Sequence, residues 1–125
     1  MIRAAAILLA CALVTACATG QGYEGPRLGA DEVARITGDL RVTAGSPVTV
    51  ILRKVGDYEL GINENSVEVL PGTHRLIVDC RVAETKSIAR FTVDAEVYGG
   101  QRYRLVARTG PGLESCKGVD IENVQ

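Results

Sequence analysis

Few side chains in this sequence have the type and spacing that catalysis requires. His74 is the single histidine, and it follows the Pro71–Gly72 pair in phase with the apolar residues Leu76 and Val78. One interpretation makes His74 a general base or a metal ligand. The other places it at the edge of a sheet, with a ring nitrogen bonded to a turn carbonyl or to water. Because no second histidine or close acidic and cysteine residues complete a metal site, we expect neither a metal nor a cofactor.

The serines do not strengthen the case for an enzyme. None of them stands in the Gly-x-Ser-x-Gly pattern of a nucleophile elbow, and one histidine serves poorly as the base for four scattered serines. No glycine-rich phosphate loop opens a helix. We therefore expect a protein without enzymatic activity, and a small hydrolase built around His74 is the weakest of the functions considered.

Four arginines share the polar face of two predicted strands. They are Arg90, Arg102, Arg104 and Arg108. They could form an anion-binding surface for phosphates, carboxylates or a protein partner. They could equally form a solvated face, because Asp94 and Glu96 lie among them and exposed cross-strand pairs contribute only about 0.2–1 kcal/mol each. With 14 Lys and Arg against 15 Asp and Glu, the net charge is −1, which gives no electrostatic basis for binding nucleic acid.

The N-terminal residues have the pattern of an export signal. Arg3 is the only charge before Glu24, and residues 4–14 form an unbroken apolar run. That run is too short to cross a bilayer, which needs about 20 residues. Residues 14–17, Val-Thr-Ala-Cys, resemble the lipobox of bacterial lipoproteins. The resemblance implies that residues 1–16 are a signal peptide and that Cys17 carries acyl chains such as palmitate.

Two alternatives to this lipoprotein signal stay open. The segment could be an ordinary secretory signal with a chance cysteine, or residues 8–11 could be the lipobox, although that leaves a very short apolar stretch. Ala18 follows Cys17, and the resemblance then favours a lipid anchor in the outer membrane with the domain in the periplasm. Residues 17–30 are rich in glycine, so we expect a flexible linker of about 20 Å between lipid and domain.

A disulfide is the default expectation for the remaining cysteines. Cys11 leaves with the signal peptide and Cys17 takes the lipid, so Cys80 and Cys116 form one pair in an exported domain. Free thiols or a redox-active pair are the rival interpretation. That rival is weakened by the 35 residues between the two, which lack the spacing of a Cys-x-x-Cys site.

From residue 31 onward, apolar residues recur at every second position, which is the period of a strand with one buried face. We predict an all-β domain over residues 31–125, a single antiparallel β-sandwich of about seven short strands. A three-residue loop at 99–101 is expected to join two adjacent strands in a register that places Val97 opposite Tyr103 and Glu96 opposite Arg104. The predicted core comprises Val33, Ile36, Val48, Val50, Leu52, Val67, Val69, Leu76, Val78, Phe91, Val93, Val97, Tyr103, Leu105, Val119 and Ile121.

Three stretches of the chain resemble a PEGA-type domain. They are residues 48–52 (VTVIL), 66–80 (SVEVLPGTHRLIVDC) and 99–107 (GGQRYRLVA). The chain is also similar to small bacterial lipoproteins that share a Pro-Gly-x-His core. The resemblance covers about residues 33–109 and implies a compact sandwich related in shape to transthyretin-like modules, with an accessory role and no activity of its own.

Taken together, these features predict a lipid-anchored, non-enzymatic protein of the cell envelope that acts as a protein-interaction or accessory module. An edge strand over residues 119–124 could accept a partner strand. The alternative is an envelope ligand binder that takes peptidoglycan, another glycan or an anionic lipid on the exposed arginines.

Overall fold

The computed structural model describes residues 18–43, 46–110 and 115–124. The predicted signal peptide and Cys17 lie outside these residues. The described residues contain ten strands and no helix, and so no helix able to span a membrane. The strands are β1 (Ala18–Gln21), β2 (Ala34–Thr37), β3 (Asp39–Thr43), β4 (Ser46–Val55), β5 (Tyr58–Glu59), β6 (Glu64–Val69), β7 (Gly72–Val82), β8 (Ser87–Val97), β9 (Arg102–Thr109) and β10 (Cys116–Asn123).

The strands form two sheets that pack face to face. The first sheet has the order β1-β6-β2-β9-β10, and the second has the order β3-β4-β7-β8, with β5 paired to β4. The predicted all-β sandwich is therefore confirmed. The strands outnumber the seven or so that were expected, and the sandwich is not purely antiparallel, because β1 pairs with β6 and β2 with β9 in parallel.

The predicted core is buried between the sheets, because alternating side chains point to one face of each strand. Three of its members, Phe91, Val93 and Ile121, are only partly buried. They lie on β8 and β10, each of which ends its sheet, so neighbouring side chains cover them from fewer directions.

The predicted pairing of the strands on either side of the 99–101 loop is wrong. β8 pairs with β7 in the second sheet, where Val97 lies opposite Gly72. β9 pairs with β2 in the first sheet, where Tyr103 lies opposite Ile36. The loop therefore carries the chain from one sheet to the other. Gly100 in this loop has a left-handed backbone conformation, with φ of 77°.

The expectation of a linker without regular structure over residues 17–30 is wrong where the structure describes it. Ala18–Gln21 forms strand β1 at the edge of the first sheet. A Cβ atom at Gly20 would meet the side chains of Tyr58 and Glu64, so glycine lets these side chains pack closely against the edge strand β1. Because β1 begins at Ala18, the folded structure begins well before residue 31.

The segment that follows β1 also lies against the sheet. Gly22 N donates to the carbonyl of Glu68 at 2.8 Å, and Leu28 N donates to the hydroxyl of Tyr23 at 2.8 Å. The Gln21 side chain closes a turn by donating to the carbonyl of Gly25 at 2.7 Å. The first bond extends the pairing with β6, and the other two fold the segment back on itself.

Candidate functional site

The four predicted arginines do not form one surface. Arg90 lies on β8 in the second sheet, whereas Arg102, Arg104 and Arg108 lie on β9 in the first. The prediction that they share adjacent strands is wrong, because it relied on a direct β8–β9 pairing that the fold does not contain.

Three of these arginines form ion pairs within their own sheets. The pairs are Arg90–Asp79 at 2.8 Å, Arg104–Glu122 at 3.9 Å and Arg108–Asp120 at 2.9 Å. Their guanidinium groups thus have carboxylate partners on neighbouring strands. For these three residues the geometry favours the structural interpretation over an anion-binding surface.

Asp79 is the centre of a charge cluster on the outer face of the second sheet. It is 5% exposed, and its carboxylate accepts from Arg90 Nε and from Arg53 Nε, each at 2.8 Å. These three residues lie on adjacent strands β8, β7 and β4. The hydrogen bond from Arg90 is the main reason that the pKa of Asp79 is lowered, and Arg53 adds to it against the opposing effect of burial. The cluster binds three strands together.

A different charged row crosses the outer face of the first sheet. Glu68 on β6 is the register partner of Arg35 on β2, and Arg35 is the register partner of Arg102 on β9. Paired positions on neighbouring strands point their side chains to the same face. The three side chains therefore stand next to one another.

Glu68 is a buried carboxylate within this row. It is 7% exposed, its Oε1 accepts from Arg27 Nη1 at 2.6 Å, and its Oε2 lies 3.7 Å from Arg35 Nη2. Burial of an unpaired carboxylate costs free energy, and the ion pairs with Arg27 and Arg35 offset that cost. With Arg102 next to Arg35, three arginines lie near a single glutamate, and their positive charge exceeds its negative charge.

This row borders a groove of about 520 Å³ at one end of the first sheet. Besides the charged residues, its lining includes Val33, Gly100, Gln101 and Val124. The guanidinium groups of Arg35 and Arg102 are planar donors that match carboxylate and phosphate oxygens. Chemically, the groove could hold a ligand that carries both an anionic group and apolar atoms.

Sequence reasoning found only one member of this site, Arg102. Arg35 and Glu68 were missed because their importance depends on which strands become neighbours. Glu68 stands between Val67 and Val69 in an alternating strand, a pattern that predicts a solvated side chain. Its hydrogen-bond donor Arg27 lies in the N-terminal segment, and no local signal could reveal that contact.

His74 has the structural role that one of its two interpretations assigned. Its Nε2 atom lies 2.6 Å from the carbonyl oxygen of Leu70, so this nitrogen carries the proton and donates to the turn before β7. The described residues contain no cluster of three or more His, Cys, Asp or Glu side chains able to hold a metal ion. The hydrogen bond of His74 to Leu70 stabilises the turn around Pro71.

The predicted disulfide between Cys80 and Cys116 is confirmed, with 6.2 Å between the two Cα atoms. Cys80 lies on β7 in the second sheet, and Cys116 is the first residue of β10 in the first sheet. The bond therefore joins the two sheets. It fastens the start of β10, whose one strand neighbour in the described structure is β9.

Strand β8 offers the longest free edge in the described structure. It has eleven residues and ends the second sheet. Its inner-face residues Phe91 and Val93 stay partly exposed. A long edge with apolar side chains beside it is a place where another strand can add to a sheet.

No protein-family model, curated protein or solved structure matches this chain. Its function must therefore be inferred from its own residues and geometry.

Proposed function

We propose that this chain is a lipid-anchored, non-enzymatic protein of the bacterial cell envelope that binds a protein partner along the free edge of β8. The observation that carries the proposal is the eleven-residue edge itself. An edge strand presents a row of backbone donors and acceptors that a partner strand can satisfy.

The side chains along β8 support a partner at this edge. On the outer face, Arg90 bonds to Asp79 and Asp94 accepts from Arg75, so these charges are held against the protein's own sheet. On the inner face, Phe91 and Val93 remain partly exposed. A partner strand would gain backbone hydrogen bonds and would also cover apolar surface.

The proposed location rests on the N-terminal sequence and agrees with the cysteine chemistry. The lipobox-like residues 14–17 support acylation of Cys17 and an outer-membrane anchor, with the domain in the periplasm. The Cys80–Cys116 disulfide is compatible with such an oxidising compartment. The resemblance to PEGA-type and transthyretin-like modules remains part of the proposal, and it fits an accessory role.

The test is site-specific photocrosslinking in cells. A diazirine amino acid replaces Thr92, which is exposed on β8, and in a control variant it replaces Glu122, which is exposed on the other candidate edge, β10. We expect the Thr92 position to capture one envelope protein in stoichiometric amount and the Glu122 position to capture none. Capture only from Glu122 would move the contact to β10, and capture from neither would refute a protein partner.

A second candidate function is supported by the groove beside Arg35 and Arg102. There the protein would bind an anionic envelope component, such as a peptidoglycan carboxylate or a lipopolysaccharide phosphate. We expect binding to sacculi or lipopolysaccharide to fall steeply with added salt and to be lost in an Arg35→Gln, Arg102→Gln double variant. Equal binding by that variant and by the unaltered protein would refute this candidate.

A further inference from the structure

We propose that the loop of residues 60–63 contacts the lipid bilayer beside the acylated Cys17, and that this contact fixes the orientation of the sandwich on the membrane. The inference rests on the lipid anchor proposed above. Beyond the anchor, the inference identifies a protein surface that touches the membrane. It also determines which surfaces of the sandwich face away from the bilayer.

The pairing of β1 with β6 places the loop and the anchor at the same end of the first sheet. Ala18, the first residue of β1, is the register partner of Glu64, the first residue of β6. The two strands run parallel, so the residues that precede them leave the sheet at the same end. Cys17 is bonded directly to Ala18, and consecutive Cα atoms lie about 3.8 Å apart. An acyl anchor at Cys17 would therefore hold this end close to the lipid.

The loop presents an apolar side chain at that end. Ile62 is fully exposed, more so than any other large apolar residue in the described structure. An isoleucine in water gains free energy when it enters the boundary between headgroups and acyl chains. A single side chain binds a membrane weakly, but here the lipid anchor already supplies the proximity.

Hydrogen bonds hold this loop in place and engage the carboxylate of Glu64, the residue that follows it. Glu64 Oε1 accepts from Gly61 N at 2.7 Å, and Glu64 Oε2 accepts from the hydroxyl of Tyr58, also at 2.7 Å. Leu60 packs against the core at the base of the loop. The carboxylate is thus bonded at the base, while Ile62 projects from the tip.

This orientation has a consequence for the groove. β6 runs away from the loop and reaches Glu68 near its other end. The groove beside Glu68, Arg35 and Arg102 therefore lies at the end of the first sheet that points away from the bilayer. Its positive side chains would be open to the periplasm and to soluble or cell-wall ligands.

The absence of tryptophan from the sequence allows a direct test. An Ile62→Trp variant carries a single tryptophan at the loop tip. A Leu70→Trp variant is the matched control, because Leu70 is also exposed and directly follows β6 at its opposite end. Both full-length, acylated proteins are placed in vesicles of phosphatidylethanolamine and phosphatidylglycerol whose acyl chains are brominated.

We expect the Ile62→Trp protein to show blue-shifted emission and about twofold or stronger quenching by the brominated chains relative to Leu70→Trp. Equal and weak quenching in two proteins of confirmed acylated mass would overturn the loop contact and leave the lipid anchor intact. Proteins that lack acyl mass after expression in bacterial cells would overturn the anchor, and the loop contact with it.

Discussion

Arg35 and Arg102 are register partners on the parallel strands β2 and β9, so two like charges stand side by side on the outer face of the first sheet. Like charges that face each other across strands destabilise a sheet. Glu68 on the neighbouring strand offsets part of this repulsion, since its carboxylate lies 3.7 Å from Arg35. A sheet that retains such a pair has a place where an incoming anion would be stabilised.

The first prediction concerns the cost of this pair. An Arg102→Gln variant should gain about 0.2–1 kcal/mol in the free energy of unfolding at low salt, because repulsion with Arg35 is removed. The measurement is urea denaturation at low and at high ionic strength, and the gain should shrink in salt. Arg104→Gln is the control: it removes the partner of Glu122 and should give no gain. Equal effects of the two substitutions would show that Arg35 and Arg102 do not interact.

The second prediction concerns the disulfide between the sheets. Replacing both Cys80 and Cys116 by serine should lower the free energy of unfolding by about 3–4 kcal/mol, because the unfolded chain is no longer closed into a loop. Urea denaturation measures this loss. The unaltered protein under strong reducing conditions should match the double variant. A midpoint that does not change with reduction would contradict the proposed contribution of the bond.

The third prediction concerns the pH dependence of stability. The pKa of Asp79 is lowered in the folded protein. Its ionised carboxylate therefore contributes fully to the free energy of unfolding above the unfolded pKa of about 3.9. This contribution is lost as the pH falls through the folded pKa. An Asp79→Asn variant should lose about 1–3 kcal/mol at neutral pH and show a weaker loss of stability in acid. Thermal denaturation between neutral and acidic pH measures both effects.

Asp94 provides the control for that experiment. It also pairs with an arginine on the second sheet, Arg75 at 3.1 Å, but both side chains are mostly exposed. Asp94→Asn should therefore cost less than about 1 kcal/mol. If Asp79→Asn and Asp94→Asn lowered the free energy of unfolding equally, burial would not explain the contribution of Asp79 to stability.

The fourth prediction concerns the crossing from β2 to β3. A Cβ atom at Gly38 would collide with the backbone oxygen of Val50, and a backbone atom cannot move aside as a side chain can. We expect Gly38→Ala to cost about 1–3 kcal/mol in the free energy of unfolding. Gly61→Ala is the control, because its nearest neighbour is a side-chain oxygen of Glu64 at 3.3 Å. A Gly38→Ala protein as stable as the control would contradict the close approach.

The amino-acid sequence by itself determined the class of the fold and most of its core. Alternation of apolar and polar residues indicates which side chains share a face of a strand. A sandwich is an arrangement that buries the apolar face of each strand. Residues such as Leu76 and Val78 were therefore identified without any knowledge of their neighbours. The Cys80–Cys116 bond followed from an equally local argument about the number of cysteines.

Only the tertiary structure decided which strands lie side by side. Backbone hydrogen bonds are the same for every pair of strands, and a period of two is satisfied by a hairpin and by a crossing between sheets alike. Arg90 and Arg104 were for that reason expected on one surface and lie on two. The grouping of Glu68 with Arg35 and Arg102, and the packing of a glycine-rich segment as β1, depend on contacts between residues far apart in the chain, which no local pattern encodes.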